Sequence, residues 1–142
     1  MGSSLSNLVF QPPSYNCDNG YKHTILVNNN IRGYLFRRNS PIFIVFSHGN
    51  AENIDIIRDD LFQLGIALNV NILAYEYPGY MRFENFAEDT IHPSEKGCFD
   101  AIDSIYQYLT LELKVPASHL VLYGRSLGGG PTCYLAEKCA TA

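Results

Sequence analysis

The sequence predicts an α/β fold in which a mostly parallel sheet is covered by helices. Short runs rich in β-branched and aromatic residues, at 42–46, 70–77 and 120–123, have the composition of buried strands. Helical periodicity separates them, because apolar residues recur every three or four positions over 53–68 and again after Ser94, which can cap a helix. Strands that alternate with helices are typical of a parallel sheet with crossover helices.

Two further strands and an irregular arm precede this alternation. Residues 21–27 and 31–37 alternate in part between apolar and polar side chains, and three asparagines join them, which is a hairpin signal. Residues 1–20 are polar and contain turn-forming Pro-Pro and Asn-Gly pairs. We therefore expect an N-terminal arm over 1–20 and a folded domain over 21–142.

Composition excludes several classes of function. The chain has 142 residues, of which 46% are hydrophobic and 17% charged, as expected for one globular domain. Its net charge of −4 and the lack of a Lys/Arg cluster argue against nucleic acid as a partner. Apolar runs of about five residues are too short to span a membrane. The four cysteines form no C-x-x-C pair, and we interpret them as reduced thiols in a cytosolic protein.

The segment Tyr123–Pro131 carries a candidate nucleophile. It reads YGRSLGGGP and contains the pattern G-x-S-x-G centred on Ser126. Between a strand and a helix, this pattern is the sharp turn that exposes a nucleophilic serine at the top of a sheet. Gly124 and Gly128 leave room for that turn, and the helix N-terminus favours an oxyanion. The alternative is a glycine-rich turn with a solvent-facing serine; a phosphate loop is excluded because no Gly-Lys-Ser/Thr ending follows.

A second motif, FSHGNAEN, occupies residues 46–53 and opens the connection from a strand to the next helix. In serine hydrolases built this way, that loop supplies one oxyanion-hole N–H and the residue after the nucleophile supplies the other. The candidate donors are the N–H groups of Leu127 and of Asn50 or Ala51. His48 precedes the serine, so we expect a structural role for it. The alternative is an ordinary strand-to-helix turn.

Together with YEYPGY at 75–80 and HPSEKGCFDAID at 92–103, these motifs resemble the α/β-hydrolase superfamily. They are most similar to its α/β-hydrolase-domain proteins, which include protein depalmitoylases that face the cytosol. The resemblance extends from about residue 40 to residue 140. Met81 departs from the glycine that usually follows Pro-Gly-Tyr, and the unusual loop at 81–92 bears on substrate specificity.

The resemblance implies a mechanism. Ser126 would be the nucleophile, with Leu127 and Asn50 as oxyanion donors, and the reaction would hydrolyse an ester or thioester through an acyl-serine intermediate. The implied substrate is an acylated protein or a lipid ester, with protein S-palmitoyl groups as one such thioester. No cofactor and no metal is implied.

The partners of a catalytic triad are missing from the sequence. In this fold an Asp or Glu and then a His follow the serine, but all four histidines precede Ser126. The only acid after it is Glu137, eleven residues further on, or about 16 Å along a helix. We therefore expect the N-terminal half of a hydrolase, truncated after the helix that follows the serine, with the strand before Ser126 as an exposed edge.

Two functions stay open at this point. The first is an acyl hydrolase whose acid and base come from a longer chain or from a partner. The second is a catalytically incomplete fragment or a non-enzymatic binding module that keeps half of the sheet.

The first residues, MGSSLS, fit the myristoylation pattern M-G-x-x-x-[ST] with Gly2 as the acceptor. They predict peripheral contact with the cytosolic face of a membrane, and the alternative is a coincidental match or a remnant of an expression vector. A single myristoyl chain binds membranes weakly, with a constant of about 10⁴ M⁻¹, so a second anchor is normally needed. Cys17 could carry a palmitoyl group, while the nearest basic residue is Lys22.

Overall fold

The computed structural model describes residues 8–13, 18, 20–80 and 91–141. Three positions that carry sequence predictions, Gly2, Cys17 and Met81, lie outside these residues, as does most of the loop at 81–92.

The described strands and helices follow the predicted order. They are β1 (Thr24–Val27), β2 (Ile31–Phe36), β3 (Phe43–Ser47), α1 (Ile54–Leu68), β4 (Asn71–Tyr75), α2 (Glu95–Gln107), β5 (Leu120–Gly124) and α3 (Gly129–Ala140). A π-helical turn (Tyr108–Glu112) extends α2, and short 3-10 turns precede β5 (Ala117–His119) and α3 (Ser126–Gly128).

The strands form one five-stranded sheet in the order β1-β2-β4-β3-β5. β3 pairs parallel with both β4 and β5, whereas β1–β2 and β2–β4 are antiparallel pairs. The predicted α/β class is confirmed. The sheet is mixed because the N-terminal hairpin joins β4 in the antiparallel sense, and the parallel part consists of β4, β3 and β5.

Polar side chains set the starts of the two crossover helices. Asn53 caps α1, since its side chain accepts the N–H of Ile56 at 2.9 Å. Ser94 caps α2 in the same way, accepting the N–H of Gly97 at 3.0 Å, as the sequence predicts. α1 ends at Asn69, whose φ of 50° lies in the left-handed region typical of helix ends.

The helices cover the sheet as two outer layers. α1 packs on one face, over a core of Tyr34, Phe36, Ile44, Phe46, Ile54, Ile57, Leu61, Ile72 and Ala74. The opposite face is covered by α2 and α3, and its buried residues include Val45, Leu73, Tyr75, Cys98, Ile102, Ile105, Leu109 and Leu135. The result is a three-layer arrangement with the buried strands β3 and β4 at its centre.

β5 forms one edge of the sheet, and among the described strands it pairs with β3 alone. Leu120 and Leu122 pack against the core beneath α2 and α3. Val121 and Tyr123, on the other face, keep 46% and 48% of their surface exposed. The strand that leads to Ser126 is therefore an exposed edge, as the sequence predicts.

Candidate active site

The order in which the chain visits the strands reverses at β3, which is therefore a topological switch point of the sheet. The chain passes from β3 through α1 to β4 on one side, then returns through α2 to β5 on the other. The loops after β3 and β5 lead to opposite faces, and open α/β sheets bind their ligands between such loops. Ser47 and Gly124 are register partners at these strand ends. Both sequence motifs therefore lie at this switch point.

Ser126 forms the sharp turn between β5 and α3. Its φ of 52° lies in the left-handed region, a conformation that costs a residue with a side chain roughly 1–3 kcal/mol. The N–H of Gly128 donates to the carbonyl of Arg125 at 2.9 Å and closes the turn, and Ser126 is exposed. The backbone thus has the strained strand-to-helix geometry that the G-x-S-x-G motif requires.

The two motif glycines are required by close backbone contacts. A Cβ on Gly128 would lie 2.0 Å from the carbonyl oxygen of Ser47, and one on Gly124 would lie 2.4 Å from the carbonyl oxygen of Gly128. Both contacts are far shorter than van der Waals distance. In contrast, a Cβ on Gly129 or Gly130 would meet nothing within 4 Å. Only the motif glycines let the start of α3 pack on the strand ends.

The β3–α1 loop, residues 48–53, lies beside this turn and holds the other predicted oxyanion donors. Ala51 has a φ of 55°, again in the left-handed region. Its N–H donates to Oδ1 of Asn50 at 3.1 Å. Among the described residues, the backbone N–H groups of Asn50 and Leu127 have no acceptor. Asn50 is therefore a better candidate donor than Ala51.

The side chain of Asn50 connects three parts of the chain. Its Oδ1 accepts the hydroxyl of Tyr80 at 2.7 Å and the N–H of Gln11 at 2.8 Å, and its Nδ2 donates to the carbonyl of Val9 at 2.5 Å. Burial raises the pKa of Tyr80, so its hydroxyl stays a donor at neutral pH. Tyr80 belongs to the YEYPGY segment, and the arm that contains Val9 was expected to be irregular. The sequence carries no local signal for either contact.

His48 is fully buried and has a structural position. Its Nε2 lies 2.7 Å from Oε1 of Glu76, and its Nδ1 lies 2.8 Å from the carbonyl oxygen of Gly49. The other oxygen of Glu76 accepts the N–H of Ile54 at 3.1 Å, at the start of α1. Tyr77 donates its hydroxyl to the carbonyl of His48 at 2.7 Å. His48 therefore ties together the loops after β3 and β4, in keeping with the expected role.

Glu52 and Arg125 join the two loops, a contact that no sequence motif predicts. Arg125 Nη2 donates to Glu52 Oε1 at 2.5 Å, and the N–H of Gly49 donates to Oε2 at 2.9 Å. Burial alone would raise the pKa of Glu52, but the hydrogen bonds from Arg125 and Gly49 outweigh it, so this pKa lies below its usual value. Glu52 is therefore an ionised acceptor at neutral pH.

Within the described ranges, no side chain forms a hydrogen bond with Ser126. Both ring nitrogens of His48 are engaged elsewhere. His119 precedes β5, at the opposite end of that strand from the serine, and Glu137 is exposed on α3. The described residues thus bring the candidate nucleophile and the candidate oxyanion donors together, but bring no acid or base to the serine. The same residues contain no group of three or more His, Cys, Asp or Glu that could hold a metal ion.

The mixed sheet, its crossover helices and the strained serine turn define an α/β-hydrolase fold. A solved structure of the Francisella virulence factor BioJ matches with a TM-score of 0.56 and 19% identity, over 92% of this chain and 42% of that one. The Pyrococcus furiosus esterase Pf2001 matches with a TM-score of 0.58 and 14% identity, over 85% of this chain and 50% of that one. These likenesses establish the fold.

Sequence comparison narrows the relationship, and the chain is homologous to α/β-hydrolase domain-containing proteins. It is 36% identical over 100 residues to alpha/beta hydrolase domain-containing protein aho-3 of Caenorhabditis elegans, covering 70% of this chain and 28% of the relative. It is 34% identical over 113 residues to alpha/beta hydrolase domain-containing protein 17C of Homo sapiens, covering 78% of this chain and 32% of the relative. The predicted resemblance is confirmed, and the chain spans about a third of these relatives' length.

No protein-family model matches the chain. A search of the described residues for a helix long and apolar enough to cross a membrane finds none.

Proposed function

We propose that the chain supplies the nucleophile and oxyanion hole of a serine hydrolase that cleaves an ester or thioester. One observation carries the proposal: Ser126 is held in a left-handed conformation on an exposed strand-to-helix turn, beside a loop with an unoccupied N–H. A strained residue persists only where its surroundings hold it, and such residues cluster at active sites. The homology to α/β-hydrolase domain-containing proteins supports the same class of reaction.

The chemistry follows from the positions of these groups. Ser126 Oγ attacks the carbonyl carbon while a general base takes its proton, and the N–H groups of Leu127 and Asn50 stabilise the oxyanion. Collapse of the tetrahedral intermediate expels the alcohol or thiol, which leaves with a proton, and forms an acyl-serine. Water then repeats the sequence and releases the carboxylic acid. The base and its supporting acid have to come from outside the described residues.

For the substrate we propose an acylated protein or a lipid ester, and protein S-palmitoyl thioesters above all. The resemblance of the sequence motifs to the α/β-hydrolase-domain proteins, a group that includes protein depalmitoylases, is the reason for this choice. A myristoyl group on Gly2 would hold the protein at the cytosolic face of a membrane, beside lipid-anchored substrates. The start MGSSLS supports that placement.

The second candidate is a non-catalytic binding module. None of the residues that the structure describes brings an acid or a base into contact with Ser126, which favours this candidate. A fold that keeps the nucleophile turn without a base can bind an ester or acyl group and does not turn it over.

Chemical rescue separates the two candidates. The purified chain is incubated with a short-chain nitrophenyl ester, with and without imidazole as an external base, and acylation of Ser126 is followed by mass spectrometry. Without imidazole we expect negligible turnover, because a general base contributes about 10²- to 10⁴-fold. With imidazole we expect an acyl group on Ser126, and none on the Ser126→Ala variant. If imidazole leaves Ser126 unmodified, the result decides for the binding module.

A further inference from the structure

Two charged side chains connect the loop that carries Asn50 with the turn that carries Ser126. Glu52 and Arg125 are 73 residues apart in sequence, and their side chains meet at 2.5 Å. One carboxylate serves both loops, because its second oxygen accepts the N–H of Gly49 at 2.9 Å. The contact therefore ties the backbone of the β3–α1 loop to the guanidinium of Arg125.

We infer that Glu52 and Arg125 are positioning residues, a clamp that holds the N–H of Asn50 in place relative to Ser126. The inference rests on the proposed function, since it concerns the distance between the nucleophile and an oxyanion donor.

The backbone around the clamp is anchored at short range. The N–H of Arg125 donates to the carbonyl of Ser47 at 3.1 Å, at the end of β3. A Cβ on Gly49 would lie 3.4 Å from the carbonyl oxygen of Arg125, so the two loops already touch there. The guanidinium of Arg125 also lies 5.7 Å from the ring centre of Phe46, within the range of a cation–π contact.

Each clamp residue is the direct neighbour of a strained one. Glu52 follows Ala51, whose φ is 55°, and Arg125 precedes Ser126, whose φ is 52°. Left-handed residues of this type relax unless their surroundings hold them. A bridge between their neighbours opposes relaxation of both at once, which is the arrangement expected of a positioning pair.

The exposure of the pair argues for a local role. The side chains of Arg125 and Glu52 keep 47% and 26% of their surface exposed, and exposed ion pairs contribute little to global stability. A displacement of about 1 Å at a reacting centre, however, can cost about 10²-fold in rate. The clamp therefore bears on geometry much more than on folding.

The test compares Arg125→Gln, which removes the charge, with Arg125→Lys, which keeps it. Lys138→Gln is the matched control, because Lys138 and Asp103 form an ion pair of similar exposure, 55% and 21%, between α2 and α3. The first readout is the hydrogen exchange of the Gly49 amide, followed by NMR on the full chain, with thermal unfolding measured in parallel. The second is the imidazole-supported acylation of Ser126.

We expect Arg125→Gln to accelerate exchange at Gly49 by about three- to tenfold, in line with the weakening of one charge-assisted contact, with little change in the unfolding midpoint. Arg125→Lys should restore most of the protection, and Lys138→Gln should leave Gly49 unchanged. Equal exchange at Gly49 in Arg125→Gln and Lys138→Gln would overturn the clamp. Failure of wild-type Ser126 to become acylated would count against the proposed hydrolase alone, since the exchange experiment judges the clamp without catalysis.

Discussion

β3 and β5 are neighbouring parallel strands, yet their surroundings differ. Every residue of β3 is buried, because helices cover both of its faces. In β5 Leu120 and Leu122 pack against the core on one face. On the other face Val121 and Tyr123 are about half exposed, and the Tyr123 ring stacks on the buried Phe46. The strand that leads to the candidate nucleophile is thus the less supported of the two, so its turn needs other sources of rigidity.

Those sources come from the end of β3. The carbonyl of Ser47 accepts the N–H of Arg125 and is also the atom against which Gly128 packs. Glu52 adds the ion pair across the loops. Short backbone contacts and glycine, more than apolar burial, shape the turn at Ser126. Substitutions in the two regions should therefore act through different physical causes.

The largest change in the free energy of unfolding is expected in the region where helices cover the sheet fully. Arg32 on β2 and Asp55 on α1 form a buried ion pair with two contacts of 2.9 and 3.0 Å. Asp55→Asn removes the carboxylate charge from this buried pair, which should lower the free energy of unfolding by about 3–5 kcal/mol. Urea unfolding measures this, with Asp100→Asn as the exposed control, expected to cost less than about 1 kcal/mol. Similar costs for both variants would show that solvent already screens the Arg32 site.

The next largest change in stability is expected from a comparison of alanine substitutions at two glycines near the start of α3. Gly128→Ala places a methyl group 2.0 Å from the carbonyl oxygen of Ser47, so we expect a loss of about 1–3 kcal/mol or more in unfolding free energy. Gly130→Ala meets nothing within 4 Å and lies inside α3, where alanine should stabilise by up to about 1 kcal/mol. The two variants should shift the urea midpoint in opposite directions. Shifts of the same sign would mean that the backbone adjusts around residue 128.

The positions of the strands and helices can be predicted from the sequence, whereas the direction in which some strands pair cannot. Hydrophobic periodicity locates the strands and crossover helices because burial imposes a repeat on the side chains. Cap residues such as Ser94 are equally local signals. The antiparallel pairing of the hairpin with β4 has no local sequence signal, because apolar residues have the same spacing in parallel and antiparallel strands.

In the candidate site, too, some features can be predicted from the sequence and others cannot. The turn at Ser126 and its glycines are contiguous in sequence, so the motif reveals them. The contacts of Asn50 with Tyr80, of Glu52 with Arg125, and of the arm with the β3–α1 loop join residues 30 to 73 positions apart. Polar contacts of this kind depend on the assembled fold and have no period, so a single sequence does not predict them.

The smallest effect on stability is expected at the free edge of β5. Val121 is 46% exposed, so Val121→Lys should change the unfolding free energy by no more than about 0.5 kcal/mol. The same strand offers unpaired backbone groups and an apolar side chain, a combination that favours pairing with a second chain, and a lysine on an edge strand opposes such pairing. We therefore expect wild-type protein to self-associate with increasing concentration, and Val121→Lys to stay closer to a monomer in size-exclusion chromatography with light scattering. Leu111→Lys removes an apolar side chain that is even more exposed, at 63%, but lies away from the edge, and should leave the association unchanged. Equal loss of association in both variants would assign it to general surface hydrophobicity, and a wild-type monomer at all concentrations would show that the edge is not a docking strand.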